Sequence, residues 1–449
     1  MGWITLKQAA AWCGGTVEPK YADVRFFGAN NDSRNLQLGQ LFLALQGARD
    51  GHDFIPMAME KGAAAVLCTH CVGDHPAIVV EDVRIALGKI AAGERQNLGM
   101  QVVGVTGSVG KSTTKEMIAA VLSRKYRVAK TPANHNNDIG MPMAVLSIEE
   151  GTQVAVLEMG MNHFREIAYL TGIGKPDVGV IINIGTMHIE HLGSRDGILR
   201  AKLEITEGMG DKGLLLLNGD DEYLPKAPSL VNTPIRYFGT GDHWVQASDV
   251  QEKDGCAVFT VTCGEISFPV ALPMEGMHYV PDALAAVAVG MHLCVDPQEI
   301  QFALEHFQNM EGRQEIFEAK GFTIIKDCYN AGPESMAAAL AVLGKRQGRR
   351  IAVLGDMLEL GSCTQAEHYR IGRIAAENAD VLLAYGPNSS RVYSGAVTVG
   401  MENAACFENR GHLVQELKRI ARAGDTLLFK GSHGMHMEIA LERFLADET

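Results

Sequence analysis

The run Thr106-Gly107-Ser108-Val109-Gly110-Lys111-Ser112-Thr113-Thr114 follows the apolar stretch 102–105 and leads into the helix-forming Lys115-Glu116-Met117-Ile118-Ala119-Ala120-Val121-Leu122. Strand, glycine loop, Lys-Ser and helix is the context in which a chain grips a polyphosphate. The glycines let successive backbone N–H groups turn toward the phosphates, and the helix N-terminus adds partial positive charge. Lys111 bridges the β and γ phosphates, and the Ser112 hydroxyl is placed to ligate Mg²⁺. Val105 stands where the first glycine of G-x-x-x-x-G-K-[ST] belongs, so the chain carries the shorter T-G-x-x-G-K-[ST] form. The alternative is an ordinary glycine-rich turn before a helix, against which the strand-loop-helix context weighs. Thr106, Gly107, Ser108, Val109, Gly110, Lys111, Ser112 and Thr113 are the expected nucleotide-binding set.

A phosphate loop alone fits a kinase, a motor, a GTPase or a ligase, and the metal-ligating residues discriminate. Glu158 ends the apolar run 154–157, a position from which a carboxylate reaches a magnesium held by Ser112. His188 follows the apolar run 178–184, and Lys202 lies in Arg200-Ala201-Lys202-Leu203-Glu204, early in the next helix. Taken singly these are a strand-end carboxylate, a loop histidine and a solvated helix face. Their common placement beyond strand ends, beside a phosphate loop, makes Lys111, Glu158, His188 and Lys202 the expected catalytic group.

The elements that must position these groups alternate strand and helix. Candidate strands at 102–106, 154–158, 178–184 and 213–217 predict a doubly wound α/β unit, because ligands in open α/β sheets gather beyond the carboxyl ends of strands. The run 244–272, rich in Val, Phe and Thr with polar alternation, predicts antiparallel β. Before it, strands at 64–67 and 77–80 and a helix over 83–91 predict a smaller α/β unit ending in the polar stretch 94–99. After it, strands at 322–326, 350–354, 380–384 and 425–429 predict a third α/β unit. The expected units are 1–98, 99–311 and 312–449.

With 449 residues, about three domains are expected. Hydrophobic residues at 47%, charged residues at 21% and a mean hydropathy of +0.02 fit a globular chain rather than a disordered one. No apolar run approaches the ~20 residues of a spanning helix. A net charge of −13 disfavours broad attraction to nucleic acid or an anionic membrane, so an anionic ligand must be captured locally. No export signal is readable, nine scattered cysteines fit reduced thiols, and a cytoplasmic monomer is expected. Cys68-Thr69-His70-Cys71 with His75 has the look of half a zinc site, but without a second close cysteine pair it is read as a strand end and turn.

Across nearly its whole length the chain resembles the Mur ligase family, ATP-dependent amide-forming enzymes of peptidoglycan precursor synthesis. Asp32-Ser33-Arg34, the run 39–47 and Asp50-Gly51-His52-Asp53-Phe54 are similar to its UDP-recognising motifs. The resemblance therefore places Ser33, Arg34, Phe42 and Gly47 at the substrate, in a small N-terminal α/β UDP-binding domain. Thr106 to Thr114, Asn134-His135-Asn136-Asn137-Asp138-Ile139-Gly140, Glu158-Met159-Gly160, His188 and Ala201-Lys202-Leu203-Glu204 resemble the central ATP and metal motifs, with Asn136 and Asn137 expected to face substrate. The C-terminal Rossmann-like domain, expected to bind the incoming dipeptide, carries Asp327-Cys328-Tyr329-Asn330 and Gly355-Asp356-Met357-Leu358-Glu359-Leu360-Gly361. These two stretches are the most type-specific, and Asp356 is expected at substrate.

The resemblance implies addition of D-alanyl-D-alanine to UDP-N-acetylmuramoyl-tripeptide through an acyl phosphate. ATP and two Mg²⁺ serve as cofactors, held by Ser112, Glu158, His188 and a Lys202 carbamate formed with CO₂. Arg313, Asp327, Tyr329 and Asn330 are expected beside ATP, and closure of the third domain is expected to exclude water. Three departures stand out: Asp282 where the family has asparagine at the nucleotide, Gly332 for asparagine, and His433 for arginine. The competing readings are a relative that adds one amino acid, a glutamate ligase for folate, and a non-catalytic nucleotide-binding regulator.

Overall fold

The computed structural model describes residues 3–310 and 312–446; Glu311, the expected end of the second unit, lies outside them. The central sheet follows from its β-branched runs. Val102, Val103 and Val105, with Val154 and Val156 and with Val178 and Val180, are all buried, as strands covered on both faces require. Strand Gln101–Thr106 lies between Val154–Glu158 and Val178–Ile181, all parallel, with Val105 opposite Glu158 and Thr106 opposite Ile181. Val128–Lys130 flanks one side, while Leu214–Asn218 and Ile235–Gly239 extend the other. Val245–Lys253, Cys256–Cys263 and Ile266–Leu272 continue the same sheet and turn antiparallel, giving nine strands among the described residues. The added β section is therefore an extension of the nucleotide sheet.

The expected strand 178–184 ends at Ile181. After Ile182 donates to the Thr106 carbonyl at 3.1 Å, the Asn183 side chain is captured by the glycine loop and the chain leaves the sheet. The polar stretch 94–99, read as the end of the first unit, holds the last turn of helix Val83–Leu98, which stops at Gly99 with φ 61°. Arg95 there donates to the carbonyls of Gly174 and Lys175, both at 2.8 Å. Leu87, Ile90 and Ala91 share one apolar cluster with Met141, Val145, Leu170 and Ile173 of the central unit. First and central units thus share a continuous core.

The first unit holds four parallel strands, Ala29–Asn30, Leu41–Leu43, Ala65–Cys68 and Ala77–Val79. The third holds six, in the order Glu315–Ala319, Phe322–Asp327, Thr426–Lys430, Arg350–Gly355, Val381–Tyr385 and Ala404–Phe407. Its two edge strands are absent from the sequence reading because half-exposed edges lack a continuous apolar run. Glu315–Ala319 pairs antiparallel through the Lys320-Gly321 turn, where both φ values are positive. The apolar clusters of this unit contain no residue of the other two.

Helix Lys111–Leu122, which begins with the expected Lys111 and Ser112, packs along Val280–His292. The second helix is alanine-rich, and a Cβ at Gly290 would stand 2.7 Å from Val121 and 2.9 Å from Ile300. Gly290→Val should overpack this contact and cost about 1–3 kcal/mol, read as a lower urea midpoint at unchanged slope.

Candidate nucleotide and metal site

The parallel register sets Thr106, Glu158 and Ile181 along one sheet edge, and the loops that follow them build the site. Gly110, at φ 88°, turns the loop into helix Lys111–Leu122, whose N-terminus has no side-chain cap. The Ser108 and Val109 N–H groups donate to Asn183 Oδ1 at 3.0 and 2.9 Å, and Asn183 Nδ2 donates back to the Val109 carbonyl at 2.9 Å. Asn183 thus clamps the loop from the neighbouring strand. Lys111 Nζ folds over the loop, donating to the carbonyls of Gly107 (2.9 Å) and Ser108 (3.2 Å). Burial, above all, lowers its pKa, and the Glu158 carboxylate opposes that.

Glu158 is 2% exposed. Its Oε1 accepts from Asn136 Nδ2 at 2.9 Å, while buried Oε2 has no hydrogen-bond partner and lies 3.6 Å from Lys115 Nζ. An unpartnered buried carboxylate oxygen costs free energy unless a cation meets it. Lys115 is fully buried and donates to the Thr131 carbonyl at 2.8 Å and the Ala133 carbonyl at 3.3 Å. Ser112 Oγ accepts from Arg313 Nη2 at 2.9 Å. His188, in the left-handed region at φ 62°, meets Glu359 Oε2 through Nδ1 at 2.6 Å. Lys202 is 2% exposed, without a hydrogen-bond or ion-pair partner among the described residues. Burial first, then the Lys111 charge, holds its pKa well below the ordinary lysine range.

The Ser112 and Glu158 oxygens are donors of the kind magnesium prefers. Mg²⁺ takes one or two protein oxygens and fills its octahedron with water and phosphate, so the absence of any three-residue His/Cys/Asp/Glu cluster among the described residues does not oppose it.

From the third unit, Arg313 lies over the Tyr329 ring at 4.1 Å. Asp327 and Lys430, paired in register on adjacent strands, form an ion pair at 2.6 Å, and Lys430 also donates to the Asn330 carbonyl at 3.0 Å. Glu334 accepts from Thr186 N–H at 2.9 Å and from its hydroxyl at 3.1 Å. Central and third units together enclose a cavity of about 870 Å³, bordered also by Arg84 and Ile85 of the first. Of the expected residues it is lined by Ser108, Val109, Gly110, Lys111, Ser112, Thr113, Asn136, Asn137, Glu158, His188, Asp282, Arg313, Asp327, Tyr329 and Asn330.

The remaining expected residues lie elsewhere. Thr106 is fully buried at the strand end, and Gly107 supplies a carbonyl to Lys111. Ser33, Arg34 and Gly47 sit on the first unit away from the cavity, with Arg34 tied to Asp32 at 2.9 Å. Two expectations need correction. Phe42, 1% exposed, packs in the core with Ile55 and Ala58, because its strand is covered on both faces and leaves the ring no open side. Asp356, 1% exposed, accepts from Asn388 N–H at 2.9 Å and Nδ2 at 2.8 Å, anchoring a turn instead of facing the cavity. Asn183, Lys115, Glu334, Lys430 and Glu359 escaped the sequence reading. Each sits inside or beside a noted motif, but nothing local marks which cavity-side group it touches.

Residues 105–290 match the Mur ligase middle domain, 312–433 the Mur ligase glutamate ligase domain, and 28–95 the Mur ligase family catalytic domain. The UDP-N-acetylmuramoyl-tripeptide–D-alanyl-D-alanine ligase of Bacillus subtilis is 39% identical over 446 residues, covering 97% of this chain and 96% of its own. The chain belongs to the Mur ligase family. A crystal structure of MurF from Acinetobacter baumannii superposes with TM-score 0.91 at 32% identity, over 99% of each chain. MurF ligase from Thermotoga maritima, solved in complex with ADP, gives TM-score 0.81 at 29% identity, over 93% of this chain and 97% of that one.

Within the Mur ligase frame, Asp282 sits against the glycine loop: Thr114 Oγ1 donates to it at 2.9 Å, and a Cβ on Gly110 would approach it to 2.6 Å. Burial pushes its pKa up to about 8. The folded state therefore holds a proton that the unfolded chain releases near pH 4, so this group's contribution to stability falls as pH rises from about 4 to 8 and is constant above. Asp282→Asn should gain thermal stability relative to the parent across that window, a difference that melts at pH 5, 7 and 9 would register.

Proposed function

We propose that this chain is the ATP-dependent ligase that joins D-alanyl-D-alanine to the terminal carboxylate of UDP-N-acetylmuramoyl-tripeptide, releasing ADP and phosphate. The observation that carries it is a single cavity in which a phosphate loop, a buried carboxylate with one oxygen free of hydrogen bonds and the type-specific third-unit residues converge. The B. subtilis relative supports the same reaction. We assign substrate recognition to residues 1–98, ATP chemistry to 99–311 and dipeptide binding to 312–449, in a chain acting as a monomer in the cytoplasm. No helix among the described residues is long and apolar enough to cross a membrane.

A carboxylate is a poor electrophile and does not condense with an amine unaided. Its oxygen attacks the γ-phosphorus, giving an acyl phosphate and ADP; the dipeptide amine then attacks the acyl carbon and phosphate leaves. The loop N–H groups and Lys111 bind the β and γ phosphates, and the lysine turns from the loop carbonyls toward the stronger anion. Arg313 brings a guanidinium from the third unit to the same phosphates. Ser112 and Glu158 would hold one magnesium, and His188 with the Lys202 carbamate a second. When bound, these ions offset charge on the transferring phosphoryl group and hold the substrate carboxylate near it. Lys202, buried and without an anion, would suit carbamylation: an unprotonated amine adds to CO₂, releasing one proton and forming a carboxylate-like group. Contacts such as Glu334 to Thr186 close the cavity against water, which would hydrolyse the acyl phosphate.

Phosphate release with ATP, Mg²⁺ and UDP-N-acetylmuramoyl-tripeptide should depend on D-alanyl-D-alanine. Release with single amino acids instead would move the chain to another branch, and silence with every acceptor would favour a regulator. Lys202→Ala should lower turnover by about 10²-fold, the scale on which a metal's supporting groups act; turnover at the parent rate would remove Lys202 from the second metal. Small-angle scattering should report compaction when nucleotide and tripeptide are added, since the third unit is attached through polar contacts.

A further inference from the structure

One bond across the unit boundary is not needed for the nucleotide site or for docking. His188 Nδ1 meets Glu359 Oε2 at 2.6 Å, between residues 171 apart in sequence. Both residues hold the left-handed conformation at φ 62°, which side-chain-bearing residues seldom adopt. The two loops approach closely: a Cβ on Gly361 would lie 2.9 Å from Glu190 Cα. The Glu359 side chain is 46% exposed and that of His188 14%. Ion pairs with so exposed a partner add little to docking, and Lys345 with Glu252, Arg346 with Glu275 and Glu334 with Thr186 already join the units. What this contact does define is the imidazole. A carboxylate accepts hydrogen bonds, so Nδ1 carries the hydrogen, the ring plane is set, and the Nε2 lone pair is left for a cation.

We propose that Glu359 is a positioning residue: by docking with the third unit it fixes the tautomer and orientation of His188, so that the second magnesium site is complete only when the third unit is seated. This rests on the reading that His188 serves a second magnesium. It makes metal loading and closure one event, because the ligand's orienting partner rides on the moving unit. Partners that orient a metal-ligating histidine typically govern metal affinity by about 10–100-fold.

The test is Mn²⁺ binding to the full chain with β,γ-methylene ATP, read by electron paramagnetic resonance. The parent should bind two ions. Glu359→Ala should weaken the second by about tenfold or more and leave the first unchanged, while lowering kcat with the KM for ATP unaltered. Glu359→Gln, which keeps an accepting oxygen, should recover most of the second-site affinity. Lys345→Ala, which removes a different bond between the units, should bind both ions like the parent. Two ions of parental affinity in Glu359→Ala, or equal weakening in Lys345→Ala, would overturn the role of Glu359 alone. A single bound ion in the parent would overturn the second-metal reading together with it.

Discussion

Three parallel strands in one register are the constraint on which the site depends. Because Val105 lies opposite Glu158 and Thr106 opposite Ile181, the chain leaves all three strands at the same edge and level. The glycine loop, the Glu158 carboxylate and the Asn183 to His188 loop are therefore neighbours without further adjustment. Shifting either pairing by one residue would turn Glu158 or the strand core to the opposite face. The buried valines on these strands resist such a slip, so core packing and catalytic geometry are fixed by the same residues.

How the units are joined differs on the two sides. The first unit shares an apolar core with the central one, through the face of helix Val83–Leu98 and the Arg95 bonds to Gly174 and Lys175. The third keeps its apolar clusters to itself and reaches the central unit through Arg313, Glu334, Lys345, Arg346 and Glu359. Apolar burial is lost only by exposing surface to water, whereas polar pairs exchange readily for hydrated ones. A rigid pair and one docked unit follow from that difference. The separation suits a reaction whose acyl phosphate must be shielded from water while its substrates enter and leave.

The sequence reading was accurate where information is local. Strands at 102–106 and 154–158, the four inner third-unit strands and the antiparallel run 244–272 all carry their own periodicity, and the glycine loop carries its backbone geometry. It failed where a neighbour decides. The stretch 94–99 reads as the polar end of a unit, while Arg95 bonds across it to the carbonyls of Gly174 and Lys175. Asp356 resembled a binding residue because a strand-end carboxylate reads alike whether it faces a cavity or anchors a turn.

By itself the sequence determined the α/β units and the glycine loop between strand and helix, and it singled out Lys111, Glu158, His188 and Lys202 as candidates, because element type and loop geometry follow from spacing over a few residues. Tertiary structure alone decided that one Glu158 oxygen lacks a hydrogen bond, that Lys202 is buried without an anion, that Asn183 clamps the loop and that Glu359 meets His188. Desolvation and partnership are properties of what surrounds a side chain. Over separations such as the 171 residues between His188 and Glu359, that surrounding is set by packing and docking, which no local pattern records.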